Sequence, residues 1–232
     1  MSDVRMGLFR RNPALSPEAF DSHWLDTHGP LAARLPGLRE YWQNLVTDRL
    51  QRGIDFKRGP WDFDGISQLW FDEAAQAGQV FGGGPLARAL VEDEARFIGE
   101  LHIIAARQRV VVPVPEPGTR ARLLKRLSTL KRLPGLSEED FRREWIVHGE
   151  YVRKMPGIGG YRQNVVTARE RVKGRPCDYP ELPIDGIVEL WFEDTGTLQE
   201  AFASPAGRTT MAHARTFLEE ITAFVVSERR IL

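Results

Sequence analysis

Two histidines are the residues of this chain whose type and position most directly suggest proton transfer. His28 lies four residues after Trp24, and His148 lies three residues after Trp145. We expect each histidine at the C-terminal end of a helix, where the helix dipole favours the imidazolium form. Such a residue can act as a catalytic base or proton shuttle beside a carbonyl group. The alternative is a structural histidine that bonds the last helical carbonyls and packs beneath the tryptophan.

Glu189 is the third candidate for acid/base chemistry. It lies in the strand-like segment Gly186 to Phe192, whose alternate residues form a wholly apolar face and a mixed face. The apolar face belongs under helices, so Glu189 should point into an apolar interior, where desolvation raises a carboxyl pKa towards working pH. An interior carboxylate would also favour a protonated histidine, which makes His148 with Glu189 a possible pair. Alternatively, Glu189 is structural and pairs with an arginine, or faces solvent at an edge.

A further set of polar and aromatic residues could bind a substrate. In the predicted strands, a tyrosine hydroxyl beside a glutamine amide could orient a carbonyl or lactone oxygen. Equally, these side chains could be hydrogen-bond partners within sheets and turns. The candidate substrate-binding residues are Tyr41, Tyr161, Gln43, Gln163, Gln68, Trp70 and Trp191.

Most of these candidates lie in a segment that occurs twice. FDSHWLDTHGPLAARLPGLREYWQNLVT, from Phe20, matches FRREWIVHGEYVRKMPGIGGYRQNVVT, from Phe141. The block Asp-Gly-Ile followed by Trp-Phe also recurs, at Asp64 and at Asp185. The two copies of the segment are 121 residues apart at the tryptophan and 120 residues apart from the histidine to the final threonine. A repeat of this length indicates two similar folding units in tandem.

Each unit is predicted to have the order β-α-β-β-α-β. Ser16-Pro17-Glu18 and Ser137 are helix-start signals, while Gly82-Gly83-Gly84-Pro85 and Ser204-Pro205 break the second helix of each unit. We place the first unit at residues 1–112 and the second at 120–232. The linker, 113–119, is rich in proline, which excludes a helix and favours an extended connector.

This order predicts the fold class. A βαββαβ unit forms a four-stranded antiparallel sheet with both helices on one face, as in ferredoxin-like proteins, and leaves the other face bare. The two bare faces should pack together, so the expected fold is α+β: two ferredoxin-like units closed into an intrachain, pseudo-dimeric barrel. Because one chain supplies both halves of the barrel, the protein can be a monomer, and a homodimer is the alternative.

Composition limits the partners. The 32 Lys and Arg residues balance the 32 Asp and Glu residues, so no basic field indicates nucleic acid, and a small molecule is the better default. No apolar run approaches a membrane span, and the start MSDVRMGLFRR lacks the core of a signal peptide, so we expect a cytoplasmic protein. One cysteine and scattered histidines predict no disulfide and no metal site.

The segment LSPEAFDSHWLDTHGPLAARLPGLREY, with its second copy, resembles the EthD family of the dimeric α+β barrel superfamily. The resemblance covers nearly the whole chain as a tandem pair. Relatives include methylmuconolactone isomerases, polyketide cyclases and cofactor-free monooxygenases, and in isomerase-like relatives the histidine of the His-Gly-Pro motif lies in the active-site cavity. The matching residue here is His28. His148 departs from the motif because Glu150 replaces the proline.

Three functions fit this sequence. The first is a cofactor-independent acid/base enzyme of the lyase, isomerase or cyclase type, acting on a small aromatic, polyketide-like or lactone substrate in the barrel cavity. The second is a cofactor-free oxygenase of the same barrel type, and the third is a non-catalytic small-molecule-binding or accessory protein. Catalysis would rest on His28, or on His148 with Glu189.

Overall fold

A computed structural model of the protein describes residues 2–72 and 83–232. The first four strands, β1 to β4, are Ser2–Arg11, Leu38–Asp48, Gly65–Phe71 and Ile98–Val112. The helices of this unit are α1, Pro17–His23; a π-helix, Trp24–His28; α2, Gly29–Ala32; and α3, Pro85–Phe97. The predicted order of elements is therefore present, with α3 beginning after the glycines as expected. Residues 73–82 of the predicted second helix, and Gly82 of its break, lie outside the described residues.

The second unit follows the same order. Its strands are β5, Leu124–Arg132; β6, Gly160–Val172; a two-residue β7, Arg175–Pro176; β8, Gly186–Phe192; and β9, Leu218–Arg230. Its helices are α5, Glu138–Val152; a 3-10 turn, Tyr179–Glu181; α6, Thr195–Ala203; and α7, Pro205–Ala214. Ser137 and Ser204 cap α5 and α7 through their side-chain oxygens, as their positions before acidic or proline residues predict.

The connector between the units contains a helical turn. The turn, α4, is Pro117–Arg120, so the prediction that the three prolines exclude a helix is wrong at the last of them. A proline is compatible with the first helical position because its missing N–H has no helical partner there. The turn places Arg120 against the barrel, where its guanidinium lies 3.7 Å from the Trp42 ring centre and 3.0 Å from Glu228.

The strands close into one barrel. The first unit is a four-stranded antiparallel sheet in the order β4-β1-β3-β2, and the second is β9-β5-β8-β6. Pairing of β2 with β9 and of β4 with β6 joins the sheets at both edges. The two seams match under the repeat, since Val46 pairs with Val226 in one and Ala106 with Val166 in the other. The predicted intrachain α+β barrel is confirmed.

The interior of the barrel is filled by side chains. Strand alternation was read correctly: Ile66, Trp70 and Ile187 point inwards and pack together. Phe63 and Leu182, from the loops before β3 and β8, join the same core. The remaining buried members of this core are Val4, Met6, Leu8, Trp42, Val46, Ile104, Ala106, Leu127, Val166, Ile184, Phe224 and Val226.

The helices cover the outer face of the barrel through a repeated tryptophan. A Cβ added at Gly65 would lie 2.8 Å from the Trp24 ring, and one added at Gly186 would lie 2.3 Å from the Trp145 ring. Glycine therefore stands in both Asp-Gly-Ile blocks because the helix tryptophan rests directly on the strand. The preceding aspartates have a structural role too: the Asp64 carboxylate accepts a bond from the Arg11 amide at 2.9 Å.

Candidate functional site

The predicted site residues divide between the two faces of the sheet. Glu189, Gln68, Trp70 and Trp191 lie inside the barrel. The candidates on the outer face, between the sheet and the helices, are His28, His148, Tyr41, Tyr161, Gln43 and Gln163. The expectation of one site that combines His148 with Glu189 is wrong, because His148 lies on a helix that covers the outer face of the sheet while Glu189 points to the inner face.

Glu189 belongs to a buried ion-pair network. Its carboxylate lies 2.8 Å from the Lys125 ammonium and accepts a bond from the Asn164 amide at 2.9 Å. Lys125 also contacts Glu228 at 2.9 Å and Gln68 at 3.2 Å. Burial would raise the pKa of Glu189, but Lys125 and the Arg162 guanidinium outweigh it and hold the pKa at about 2. The predicted rise in this pKa is wrong, and the direct ion-pair partner is a lysine instead of the arginine that the structural alternative named.

Gln43 and Gln163 are also committed to structure. The Gln43 amide donates to the Trp24 carbonyl at 2.7 Å, and that of Gln163 donates to the Trp145 carbonyl at 2.6 Å. Each amide also bonds the hydroxyl of the neighbouring tyrosine. Each bond is a second one to a helical carbonyl and ties the first helix of the unit to the sheet at the same place in both copies.

A cavity of about 50 Å³ lies between the sheet and the helices of the first unit. His28, Tyr41 and Ser67 line it together with aromatic and aliphatic side chains. Its charged wall is formed by Arg5, Glu94 and Lys173, the last from the turn that follows β6 of the second unit. Arg5 is paired with Glu170 at 2.7 Å, and Lys173 is paired with Glu94. An apolar pocket with a few convergent polar groups is the usual form of a small-molecule site.

His28 is held by a carboxylate that the sequence analysis did not identify. Its Nδ1 lies 2.9 Å from Oδ2 of Asp93, and Nε2 of His23 lies 2.8 Å from Oδ1 of the same carboxylate. Asp93 is 6% exposed and His28 is 8% exposed, so little water competes for this bond. A carboxylate only accepts, so Nδ1 of a neutral His28 carries the proton and donates it to Asp93. Nε2 is then left with its lone pair.

The pKa of His28 lies below the ordinary value of 6.5. Burial is the main cause, and the negative charges of Glu94 and Asp93 act against it. The expectation that the imidazolium is favoured is therefore wrong for the resting protein, because desolvation outweighs any effect of the helix end. A neutral imidazole with a free Nε2 at neutral pH is the form a general base requires.

A π-helix sets the position of His28. The repeat spacing is 121 residues at Trp24 and Trp145 but 120 at His28 and His148, so the first unit has one extra residue between tryptophan and histidine. The extra residue is absorbed in the π-helix Trp24–His28, where the Gly29 amide bonds the Trp24 carbonyl. In the second unit, α5 is a regular helix. Single-turn π-helices within α-helices are frequent at functional sites.

Tyr41 presents a hydroxyl to the same cavity. This oxygen accepts bonds from the Trp24 indole at 3.1 Å and from the Gln43 amide at 3.2 Å. Both contacts use the oxygen as acceptor, so the hydroxyl proton is available to a third group. Burial raises the pKa of Tyr41 to about 12, and the phenol keeps this proton at neutral pH. Tyr41 can therefore donate to a substrate oxygen.

The second unit lacks the histidine–carboxylate pair. Position 93 corresponds to His213, and Nδ1 of His148 lies 3.2 Å from Nδ1 of His213. The position of His23 corresponds to Glu144, whose carboxylate lies 3.7 Å from Nε2 of His213. Burial and His213 lower the pKa of His148 to about 3. A second imidazole supplies no negative charge to stabilise a proton taken up by His148.

The sequence did contain a signal for Asp93. On α3, Leu90, Asp93 and Phe97 are spaced three and four residues apart and are all buried, so a carboxylate occupies the apolar stripe of an amphipathic helix. A buried aspartate in such a stripe requires a partner. Its partners, His28 and His23, are set by how α3 docks against the first helices of the unit. The spacing of histidines along the chain does not reveal this docking.

Two tandem βαββαβ units that close into one barrel define the fold class of this protein. The EthD domain model matches residues 12–100 and 133–220, which is more than half of the chain. The chain belongs to the EthD family and carries the domain twice.

One curated relative aligns with a single unit. It is the 4-carboxymethyl-4-methylbutenolide mutase of Pseudomonas reinekei, 29% identical over 111 residues, which are 46% of this chain and 98% of that protein. Two similar solved structures cover both units. An anthrone oxidase-like protein has a TM-score of 0.67 at 8% identity, over 99% of this chain and 93% of its own. A monooxygenase-like protein of Fusobacterium nucleatum has a TM-score of 0.61 at 6% identity, over 98% and 93%. At such identities these structures show the fold alone.

Residues 2–72 and 83–232 show neither a metal-binding cluster nor a membrane-spanning helix. Within these ranges, no group of three or more histidine, cysteine, aspartate or glutamate side chains could hold a metal ion. In the cluster of His23, Asp93 and His28, one ring nitrogen of each histidine is hydrogen-bonded to the Asp93 carboxylate. Over the same ranges, no helix has the length and apolar character needed to cross a bilayer.

Proposed function

We propose that the protein is a cofactor-independent acid/base enzyme of the isomerase type, and that the cavity of its first unit is the active site. The observation that carries the proposal is the His28–Asp93 pair, buried beside a cavity that also presents the Tyr41 hydroxyl. A base and a neutral hydrogen-bond donor are the two groups needed to move a proton next to a carbonyl.

The proposed step uses His28 as the base. Nε2 takes a proton from the methylene carbon of the substrate's carboxymethyl group. The electron pair of the broken C–H bond forms a C=C bond to the ring carbon, and the C–O bond of the lactone breaks and leaves its electron pair on the lactone oxygen. Tyr41 donates a hydrogen bond to that oxygen. Asp93 fixes the Nδ1–H tautomer and stabilises the imidazolium that forms. Addition of a carboxylate oxygen to a different alkene carbon, with return of the proton to the neighbouring carbon, gives an isomeric lactone with no net gain or loss of protons.

The first unit is the better site because of the charge beside each histidine. Asp93 and Glu94 both favour a protonated His28, while His213 disfavours a protonated His148. A proton taken from the substrate is therefore more stable on His28. A separate observation supports a site under the helices over a site inside the barrel. Inside the barrel, the ion pairs of Lys125 with Glu189 and Glu228 already use the polar groups.

A small lactone that carries a carboxylate is the proposed substrate class. The cavity of about 50 Å³ in the resting structure has to widen to admit it, since benzene alone fills about 150 Å³. The butenolide in the name of the mutase relative is such a molecule, and that relative spans one unit of this chain. The charged wall of the cavity supports this choice, since Arg5 and Lys173 bring two cations to it. A carboxylate that entered this wall would share these cations with Glu170 and Glu94.

The test is proton exchange in D2O. The full-length protein is incubated with 4-carboxymethyl-4-methylbutenolide, and 1H NMR records both exchange of the carboxymethyl methylene protons for deuterium and appearance of a rearranged lactone. In Asp93→Asn the amide can donate to Nδ1 and reverse the tautomer of His28, so we expect the rate to fall about 100-fold or more. The matched change in the other unit, His213→Asn, should leave the rate unchanged.

Three outcomes contradict the proposal. If the folded wild-type protein catalyses no exchange, lactone isomerisation is not its function. If Asp93→Asn exchanges protons at the wild-type rate, the first-unit cavity is not the active site. Consumption of oxygen in step with substrate, followed with an oxygen electrode, would identify an oxygenase that uses the same base.

A further inference from the structure

A second cavity of about 50 Å³ lies under the helices of the second unit. It corresponds to the first-unit cavity under the repeat, but its walls differ. Flexible and aliphatic side chains surround it, among them Met155, Met211, Leu190 and Ile54. Its polar groups include the buried side chain of Arg126, which is 3% exposed. A guanidinium in such surroundings is costly unless a negative group pairs with it.

Arg126 has two neutral partners and no carboxylate among the described residues. Its Nη1 donates to the Arg52 carbonyl at 2.7 Å, and its Nε donates to the Ser128 hydroxyl at 3.3 Å. The face of the Phe202 ring lies 4.9 Å away. A guanidinium has five N–H donors, so these contacts leave three of them, including both on Nη2. Burial alone lowers the pKa of Arg126 to about 10, and the group remains a cation at neutral pH.

The arginine at the corresponding position of the first unit has a carboxylate partner. Arg126 corresponds to Arg5, whose guanidinium makes two parallel bonds to the Glu170 carboxylate, at 2.7 and 2.9 Å. Under the repeat, Glu170 corresponds to Leu50, an exposed residue beyond the end of β2. The second unit therefore has the arginine without a carboxylate partner at the corresponding position.

We propose that the second cavity binds the carboxylate group of a small organic acid, anchored by the guanidinium of Arg126. A carboxylate matches the two-pronged donor geometry of a guanidinium, as Glu170 does at Arg5. The apolar part of the acid lies against Met155 and Met211. The proposal concerns the unit opposite the proposed active site and does not depend on it.

The size of the cavity selects the acid. An apolar cavity of about 150 Å³ holds benzene, so 50 Å³ suits a carboxylate with about one or two further carbons. Longer acids require the methionines to move, which their unbranched side chains allow. The other ionisable groups of the wall do not repel an anion: burial keeps His148 neutral and raises the pKa of Tyr161, so neither is negatively charged.

The test compares propionate with propionamide, which have similar shape but differ in charge. Isothermal titration calorimetry at constant ionic strength is run on the full-length protein, on Arg126→Met and on Arg5→Met. Wild type should bind one propionate per chain, with propionamide about tenfold weaker or more, because charge-assisted hydrogen bonds are the stronger ones. Arg126→Met should lose this binding, while Arg5→Met keeps it.

A saturating propionate concentration should also raise the Tm of wild type and leave that of Arg126→Met unchanged. This second measurement confirms that the variant is folded, since its own Tm is recorded. The proposal is overturned if wild type binds neither probe, if both probes bind equally, or if Arg5→Met rather than Arg126→Met loses the propionate. In the first case Arg126 serves only to hold the loop at Arg52.

Discussion

Replacing Glu189 by glutamine should destabilise the protein without impairing proton transfer. The carboxylate is fully buried and contacts Lys125 at 2.8 Å. A carboxyl pKa of about 2 in the folded protein, against 4.5 when unperturbed, corresponds to about 3 kcal/mol of stability at pH 7. Glutamine keeps the shape of the side chain but not its charge, so most of this contribution should be lost. Lys125 keeps Glu228 as a partner, which limits the damage.

The pH dependence of this effect follows from the lowered pKa. The folded state binds the proton more weakly than the unfolded state, so the contribution is complete above about pH 4.5 and is lost as the pH falls through about 2. Urea unfolding followed by tryptophan fluorescence measures the difference between wild type and Glu189→Gln. The difference should be largest at pH 7 and smaller at pH 3.

A surface ion pair provides the control. Glu219 contacts Lys131 at 2.8 Å but is partly exposed, so Glu219→Gln should change stability little. If Glu189→Gln unfolds with the same free energy as wild type at pH 7, the buried network does not contribute as described. If the folded variant loses proton exchange, Glu189 belongs to the active site, and the site lies inside the barrel.

Three further predictions concern single residues. Tyr41→Phe should fold normally and lower the exchange rate about tenfold or more, with the loss in kcat, because it removes the donor to the developing oxyanion. His148→Gln should lose less stability on acidification than wild type. The pKa of His148 is about 3 in the folded wild type and 6.5 when unperturbed, so wild type loses stability as the pH falls below about 6.5. Urea unfolding of both proteins at pH 7 and pH 5 measures the difference. Gly65→Ala should lower the Tm, since the new Cβ would lie 2.6 Å from the Phe9 ring and 2.8 Å from Trp24, and calorimetry would detect it.

The fold was predictable because the repeat and the strand alternation are encoded locally. The bounds of β8, Gly186–Phe192, agree with the prediction, and both helix-capping serines do as well. Closure into a barrel followed from the need to bury two bare sheet faces. The helical turn at Pro117 was missed because proline stops a helix in its interior but starts one at its first position.

The site was only partly predictable, because its key contacts join distant elements. His28 was a candidate from its motif, yet its partner Asp93 lies 65 residues further along the chain. Glu189 was placed correctly inside the barrel, but its pKa was predicted in the wrong direction because Lys125 comes from another strand. Which charged groups meet inside a barrel depends on strand register, and alternation within one strand does not supply it.

The most direct test of the proposed active site is a comparison of His28→Gln with His148→Gln in the D2O exchange assay. Both changes remove a buried histidine at the same position of the repeat, so each controls for the structural effect of the other. We expect His28→Gln to lose proton exchange from the butenolide and His148→Gln to retain the wild-type rate. Exchange that survives in His28→Gln, or that disappears only in His148→Gln, would contradict the proposed active site.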